Sequence, residues 1–341
     1  MKRHRPVAAT WTLAVAGLVL AAACARTEPP SVTAPTMAAT TYAATTTVSP
    51  TATPGVTKPS EMTDAMFAII GDYGRDNADQ SAVADLVSSW DPAYIIGVGD
   101  GYYASAGGKG AARYDESTGA FYCRWLAGIT TTGQRCPSGL ATTNAFFPAM
   151  GNHDYTDARP SPETYLDYFD LPGEGLVSSS GNERFYDFVK GPIHFFVLNS
   201  NKQESAGTSS TSAQAQWLEA QLTASTSTWN IVYDHHPPYS SDDDHGSTTH
   251  MQWPFAQWGA DAVISGHAHT YERIMRDGIV YFVNGLGGSR RYDFTTPVTG
   301  SASRYNANWG AQKVTVTPTS LRFEFYDVTG TLIDSHAVPA G

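Results

Sequence analysis

Five times this chain runs apolar and then stops on residues of the kind that ligate metals. AMFAIIGD ends on Asp72, AYIIGVGD on Asp100, NAFFPAMGNHD on Asn152 and His153, WNIVYDHH on His235 and His236, and ADAVISGHAH on His267 and His269. A buried strand tolerates an acid or an imidazole at its tip only where something satisfies it. A single such ending is explained by a helix cap or a turn. Five in register constrain the fold itself, because ligands of open α/β sheets gather beyond the carboxyl ends of the strands.

The stretches between these runs agree with that reading. SAVADLVSSW and SAQAQWLEAQLTAS have helical apolar spacing, the second with Trp217, Leu218 and Leu222 facing inward. PIHFFVLNS and GIVYFVNG are further strand candidates, and the alternating runs QKVTVTP and LRFEFYDV suit an antiparallel edge or hairpin. Strands alternating with helices predict an α/β domain.

That domain spans residues 61–341. Ahead of it, MKRHR precedes an apolar, Ala-rich run that ends in small residues before Cys24. This layout predicts an export signal over residues 1–23 in preference to an anchor. Ala21, three places before Cys24, makes the lipid-attachment box imperfect, so a lipid on Cys24 and plain secretion both stay open. Residues 24–60, rich in Thr, Ala and Pro, lack the large aliphatics that would offset ordering entropy, and predict a disordered tether. Export places the protein outside the cell or on the outer face of its envelope, with membrane contact only through a lipid on Cys24. Losing Lys2, Arg3 and Arg5 with the signal takes the net charge from −11 to −14. So negative a surface argues against nucleic-acid binding but not against small anionic substrates, whose partners would be bound cations. Cys123 and Cys136 are expected to pair in an oxidising compartment, with two unpaired thiols as the alternative.

Two carboxylates, an amide and several imidazoles suit Fe, Zn or Mn. A single-metal hydrolase needs three protein ligands, so the surplus here points to two metals, which would clamp the oxygens of a phosphoryl transfer. The order GDYG (71–74), GDGYY (99–103), GNHD (151–154), VYDHHP (232–237) and GHAH (266–269) resembles the five-motif signature of purple acid phosphatases, within the metallophosphoesterase superfamily. The match spans residues 67–273 and is closest to small single-domain members. It implies a four-layer α/β/β/α sandwich with a dimetal site at the strand ends.

Carried over residue by residue, the resemblance assigns a ferric site to Asp72, Asp100, Tyr103 and His269. It assigns a divalent site (Fe, Zn or Mn) to Asp100, Asn152, His235 and His267, with Asp100 bridging. Gly74 stands where many metallophosphoesterases carry a histidine, which leaves Tyr103 to complete the ferric site, with Tyr102 as the alternative. His153 and His245 are expected to be catalytic, Asp154 orienting the ring of His153, and His250 is the rival of His245. His236 is expected to be structural or to line the pocket. Tyr271, Glu272 and Arg273 are expected to support His267 and His269, or simply to pack. The loop GLGGSRRY would approach the substrate through its backbone and Arg290 or Arg291. The implied activity is hydrolysis of small phosphate monoesters by a metal-held hydroxide. Phosphodiester or nucleotide pyrophosphate hydrolysis is the alternative on the same core, and a non-catalytic metal- or phosphate-binding lipoprotein is the rival of another class.

Overall fold

The computed structural model describes residues 66–103, 111–129, 139–155 and 162–341. The expected signal, the tether, Cys24 and Cys136 all lie outside these residues. Three short parallel strands come first: β1 (Met66–Ile70), β2 (Ile95–Gly97) and β3 (Phe146–Pro148). The chain then builds a second, seven-stranded sheet before returning. That sheet contains β4 (Tyr186–Lys190), β5 (Ile193–Val197), β6 (Trp229–Tyr233), β7 (Ala262–Ser265), β8 (Tyr271–Arg276), β9 (Ile279–Asn284) and β10 (Ser301–Tyr305). The last three strands, β11 (Gly310–Val316), β12 (Ser320–Asp327) and β13 (Leu332–Pro339), rejoin the first sheet. Its order is β13-β12-β11-β1-β2-β3, and that of the second is β10-β8-β9-β7-β6-β5-β4. The expected mixed α/β fold is therefore built on two sheets.

The period-two alternation of strand side chains decides how the sheets pack. On β5, Ile193, Phe195 and Val197 join the main core, while Phe196 and the following Leu198 enter a second one. Contacts between rings of the two sheets hold them face to face: Phe67 meets Phe195 at 5.6 Å and Phe282 meets Phe323 at 4.8 Å. Helix α1 (Ala78–Trp90) is capped by Asn77, whose side chain accepts from the Gln80 amide, and it adds Val83 and Val87 to the main core. Helix α2 (Ala213–Ala224) adds Ala215, Leu218 and Leu222 to the second core. Trp217 is only half-buried, packed on Phe185 with its Nε1 donating to Ser179. Gln214 takes the inward place instead, because its amide pairs with both backbone groups of Asn199. QKVTVTP and LRFEFYDV do form an antiparallel pair, β11–β12, but β11 also pairs with β1 inside the sheet.

Candidate metal centre

Parallel pairing of β1 with β2, of β2 with β3, and of β6 with β7 aligns the strand ends. The chain turns sharply there: Asp72, Asp100 and His267 all have positive φ, at 59°, 55° and 67°. Non-glycine residues rarely adopt this conformation, and such strain concentrates at functional sites. The backbones approach closely enough to demand glycine beside them. A Cβ on Gly151 would lie 2.0 Å from Asp100 Oδ1. One on Gly74 would lie 2.1 Å from the Tyr102 amide, so the backbone that delivers Tyr103 fills the room a side chain there would need.

One ligand atom each from buried Asp72, Asp100 and His269 lie within 4.8 Å of one another. The Tyr103 hydroxyl joins them, 3.2 Å from both Asp72 Oδ1 and His269 Nε2. Tyr102 turns away onto the Tyr114 ring, 5.8 Å off. Burial pushes the Tyr103 hydroxyl well above its ordinary range, and the charges of Asp100 and Asp72 add to this. His269 donates Nδ1–H to the Arg290 carbonyl at 2.6 Å, and His235 does the same to Val98 at 2.9 Å. Both rings thus point Nε2 inward, the orientation that metal-ligating histidines take when a backbone carbonyl holds the other nitrogen. His235 Nε2 lies 3.0 Å from Asn152 Oδ1 and 3.4 Å from Asp100 Oδ1. Burial opposes charge on either partner. Even so, His235 holds the Asp100 carboxyl well below its usual range, and Asp100 pushes His235 up to about 10. The proton on Nε2 is what a bound cation would replace. Donor chemistry, burial and ring orientation all fit a hard or borderline metal at Asp72, Asp100, Tyr103 and His269.

His267 is placed differently. Its backbone N–H donates to Asp72 Oδ2 at 2.9 Å, but its ring packs among imidazoles, 3.9 Å from His245 and 4.4 Å from His236. Burial, then the neighbouring histidines, lower its pKa well below the ordinary value, so the ring stays neutral and able to ligate. His153 packs on Tyr103 at 4.4 Å, and its amide donates to Asp100 Oδ1 at 2.9 Å. His245 sits on His267, held by Asp242, which turns inward and accepts the amides of Asp244, His245 and Gly246. His236 and His250 line the adjoining cleft, as do Asn152 and His267.

Several expectations need correction. Asp154 does not orient the ring of His153. Its oxygens accept the amides of Asp100 (3.0 Å) and Gly151 (2.7 Å) and the Tyr114 hydroxyl (2.8 Å), so it pins the backbone of the ligand turns. Burial, then the Asp100 charge, push its carboxyl up to about 7. Tyr271 and Arg273 do not reach His267 or His269, because both bind Asp334 on β13. Glu272 instead accepts from Ser241 and Ser301, anchoring the base of the His245 loop. The loop after β9 meets His269 through the Arg290 carbonyl, while the exposed Arg290 side chain leans toward Asp244 and Arg291 bonds to the Asn306 carbonyl. Sequence reasoning missed three contributors. Tyr292 stacks on His269 at 4.3 Å, the Arg75 guanidinium lies 3.7 Å over the Tyr103 ring, and Ser200 bonds to both His235 and His236. Tyr292 closes the noted loop GLGGSRRY, Arg75 follows GDYG directly, and Ser200 ends the apolar run PIHFFVLNS, a sixth ending of the same kind.

Comparison with known proteins now decides the family. Residues 65–271, more than half of the chain, match the calcineurin-like phosphoesterase family model. The chain belongs to that family. Residues 278–335 match the model of the iron/zinc purple acid phosphatase-like protein C. Among curated relatives, it is 27% identical to purple acid phosphatase 23 of Arabidopsis thaliana, over 65% of this chain and 52% of that one. It is 28% identical to the phosphoenolpyruvate phosphatase of Allium cepa, over 66% of this chain and 46% of that one. The chain thus spans about half the length of the curated relatives it matches. A purple acid phosphatase from yellow lupin seeds shares the fold, with a TM-score of 0.62 at 18% identity over 83% of this chain and 55% of that one.

Proposed function

We propose that this phosphoesterase is an exported, dimetal phosphatase that hydrolyses small phosphate monoesters. The supporting observation is the pair of imidazoles whose Nδ1–H groups rest on backbone carbonyls, so that Nε2 of each meets the buried Asp72–Asp100–Tyr103 cluster. In this reading Asp72, Asp100, Tyr103 and His269 hold Fe(III), and Asp100, Asn152, His235 and His267 hold Fe, Zn or Mn. When bound, such cations supply Lewis acidity toward a phosphoryl oxygen and acidify a water.

The chain's own groups do the rest. Asp154 fixes the turns that carry Asp100 and Asn152, so the ligands keep their places when the substrate's charge arrives. His153, against Tyr103, and His245, against His267, flank the centre from two sides. From there they donate to phosphoryl oxygens, and one of them hands a proton to the departing alkoxide. Export, and either release or anchoring through a lipid on Cys24, complete the proposal. Metal analysis of purified protein, with turnover of a nitrophenyl monoester and a bis-nitrophenyl diester, tests it. The expected result is iron plus one further metal and faster monoester turnover. Bound metal with no turnover of either ester would overturn it.

A further inference from the structure

Resting on that phosphatase reading, we infer that the cleft beside the centre holds a second anion-binding subsite formed by Lys202 and His236. The substrate would then be a monoester whose leaving group carries its own carboxylate or phosphate.

The cleft measures about 510 Å³ and runs from Asn152, His245 and His267 to Lys202, Thr249 and His250. That volume matches pockets for whole small molecules, so there is room for a leaving group beyond the phosphoryl group. Among the described residues, no carboxylate lines it, although the chain has 32 acidic residues against 21 basic. No aliphatic, phenyl, phenol or indole side chain lines it either. One fixed cation beside hydrogen-bond donors, with no acid, favours a leaving group that carries its own negative charge.

Ser200 orients both imidazoles. Its Oγ accepts the amides of His235 (3.3 Å) and His236 (2.9 Å), which occupies both lone pairs. Its own proton therefore goes to His236 Nδ1, 2.8 Å away, leaving the ring proton on Nε2 as a donor. The Ser200 carbonyl accepts from His250 Nε2 at 3.2 Å, which spends that donor, so His250 shapes the wall and leaves the anion to Lys202 and His236. Lys202, two residues along, is exposed on the same wall and supplies a fixed positive charge. A point charge with a nearby donor serves a carboxylate or a phosphate equally.

Three esters of one chain length separate the cases: butyl phosphate, phosphooxybutanoate and butanediol bisphosphate, assayed with full-length, metal-loaded protein. We expect kcat/KM to be roughly 10-fold higher for one or both doubly charged esters, chiefly through KM, the scale of one charge-assisted hydrogen bond. A preference for only one of them identifies the second group as carboxylate or as phosphate. Lys202→Gln should lower that preference by about the same factor, and Lys202→Arg should restore it. Lys313→Gln, which removes a like charge on β11, should leave it alone. An equal loss with Lys313→Gln would assign the preference to the overall field and overturn the subsite. Equal kcat/KM for all three esters also overturns it, while leaving the phosphatase reading in place. If no ester is hydrolysed, that reading fails, and calorimetry with butylphosphonate and butane bisphosphonate still decides the subsite: equal affinities overturn it.

Discussion

Around Asp72 the candidate ligands are buried and already in contact, whereas around Asn152 and His267 they open onto the cleft. Asp72 Oδ1 lies 3.2 Å from the Tyr103 hydroxyl and His269 Nε2, and Tyr292 and Arg75 cover the rings of His269 and Tyr103. On the open side, the His267 ring packs on the imidazoles of His235, His236 and His245. The difference separates two jobs. One side is set by folding, with each group held by more than one partner. The other must stay accessible to substrate, so it gives up part of that support. Metal on the closed side should be held tightly, and metal on the open side should exchange.

Asp100 belongs to both sides, and removing it gives the largest expected effect. Asp100→Ala should lower kcat by roughly 10³-fold or more, the upper scale for losing transition-state electrostatics, and should release both metals. His235→Ala should retain iron and lose only the second metal. Elemental analysis of the two variants breaks the comparison if His235→Ala comes out iron-free.

A smaller effect separates proton transfer from metal binding. His245 packs on the rings of His267 and Tyr292 beside the centre, so His245→Ala should lower kcat by roughly 10²-fold while both metals stay bound. Full activity in His245→Ala together with its loss in His250→Ala would hand the role to His250.

The closed side should have a spectroscopic signature. Burial and the charges of Asp100 and Asp72 oppose ionisation of its phenol, an opposition that a hard cation would overcome. The iron-loaded oxidised protein should therefore be coloured by phenolate-to-iron charge transfer. Tyr103→Phe should lose the colour and favour divalent ions, and Tyr102→Phe, whose ring lies on Tyr114, should keep it. A colourless wild type fully loaded with ferric iron would remove Tyr103 from the site.

The ligand ends of β1, β2, β3, β6 and β7 were legible because an apolar run stopping on a polar group is a local signal. Much of their support was not. Asp154 follows His153 directly, yet successive residues in a sharp turn point apart, so its carboxylate meets amides and not the neighbouring ring. Glu272 and Arg273 looked like part of the centre because they follow His269 closely. They sit on β8, which the pattern did not mark as a strand, and their partners are Ser241 and Asp334. Ser200 ends PIHFFVLNS and Gln214 lies in SAQAQWLEAQLTAS, but their roles come from partners 36 and 15 residues away, which periodicity does not report.

The smallest expected effect tests whether the closed side needs bracing from behind. The chain leaves His269 directly into β8, where Tyr271 and Arg273 bind Asp334 of the other sheet at 2.8 and 2.7 Å. Burial pushes the Asp334 carboxyl up, but the bonds from Arg273 and Tyr271 outweigh it and hold the group below its ordinary value. A carboxyl lowered on folding stabilises the native state above its unfolded pKa of about 3.9, and that stability is lost as pH falls through the folded value. Asp334→Asn should therefore cost about 1–2 kcal/mol at neutral pH, discounted because the pair is partly exposed. The deficit should shrink as pH drops below about 4, where the wild-type carboxyl also takes up its proton. Urea titrations at neutral and acid pH measure this directly. The colour of the iron-loaded variant adds the discriminating readout. Faster iron loss in Asp334→Asn, with the second metal unaffected, would show that the clasp braces the closed side alone. A deficit that persists unchanged in acid would mean that Asp334 contributes through packing and not through its charge.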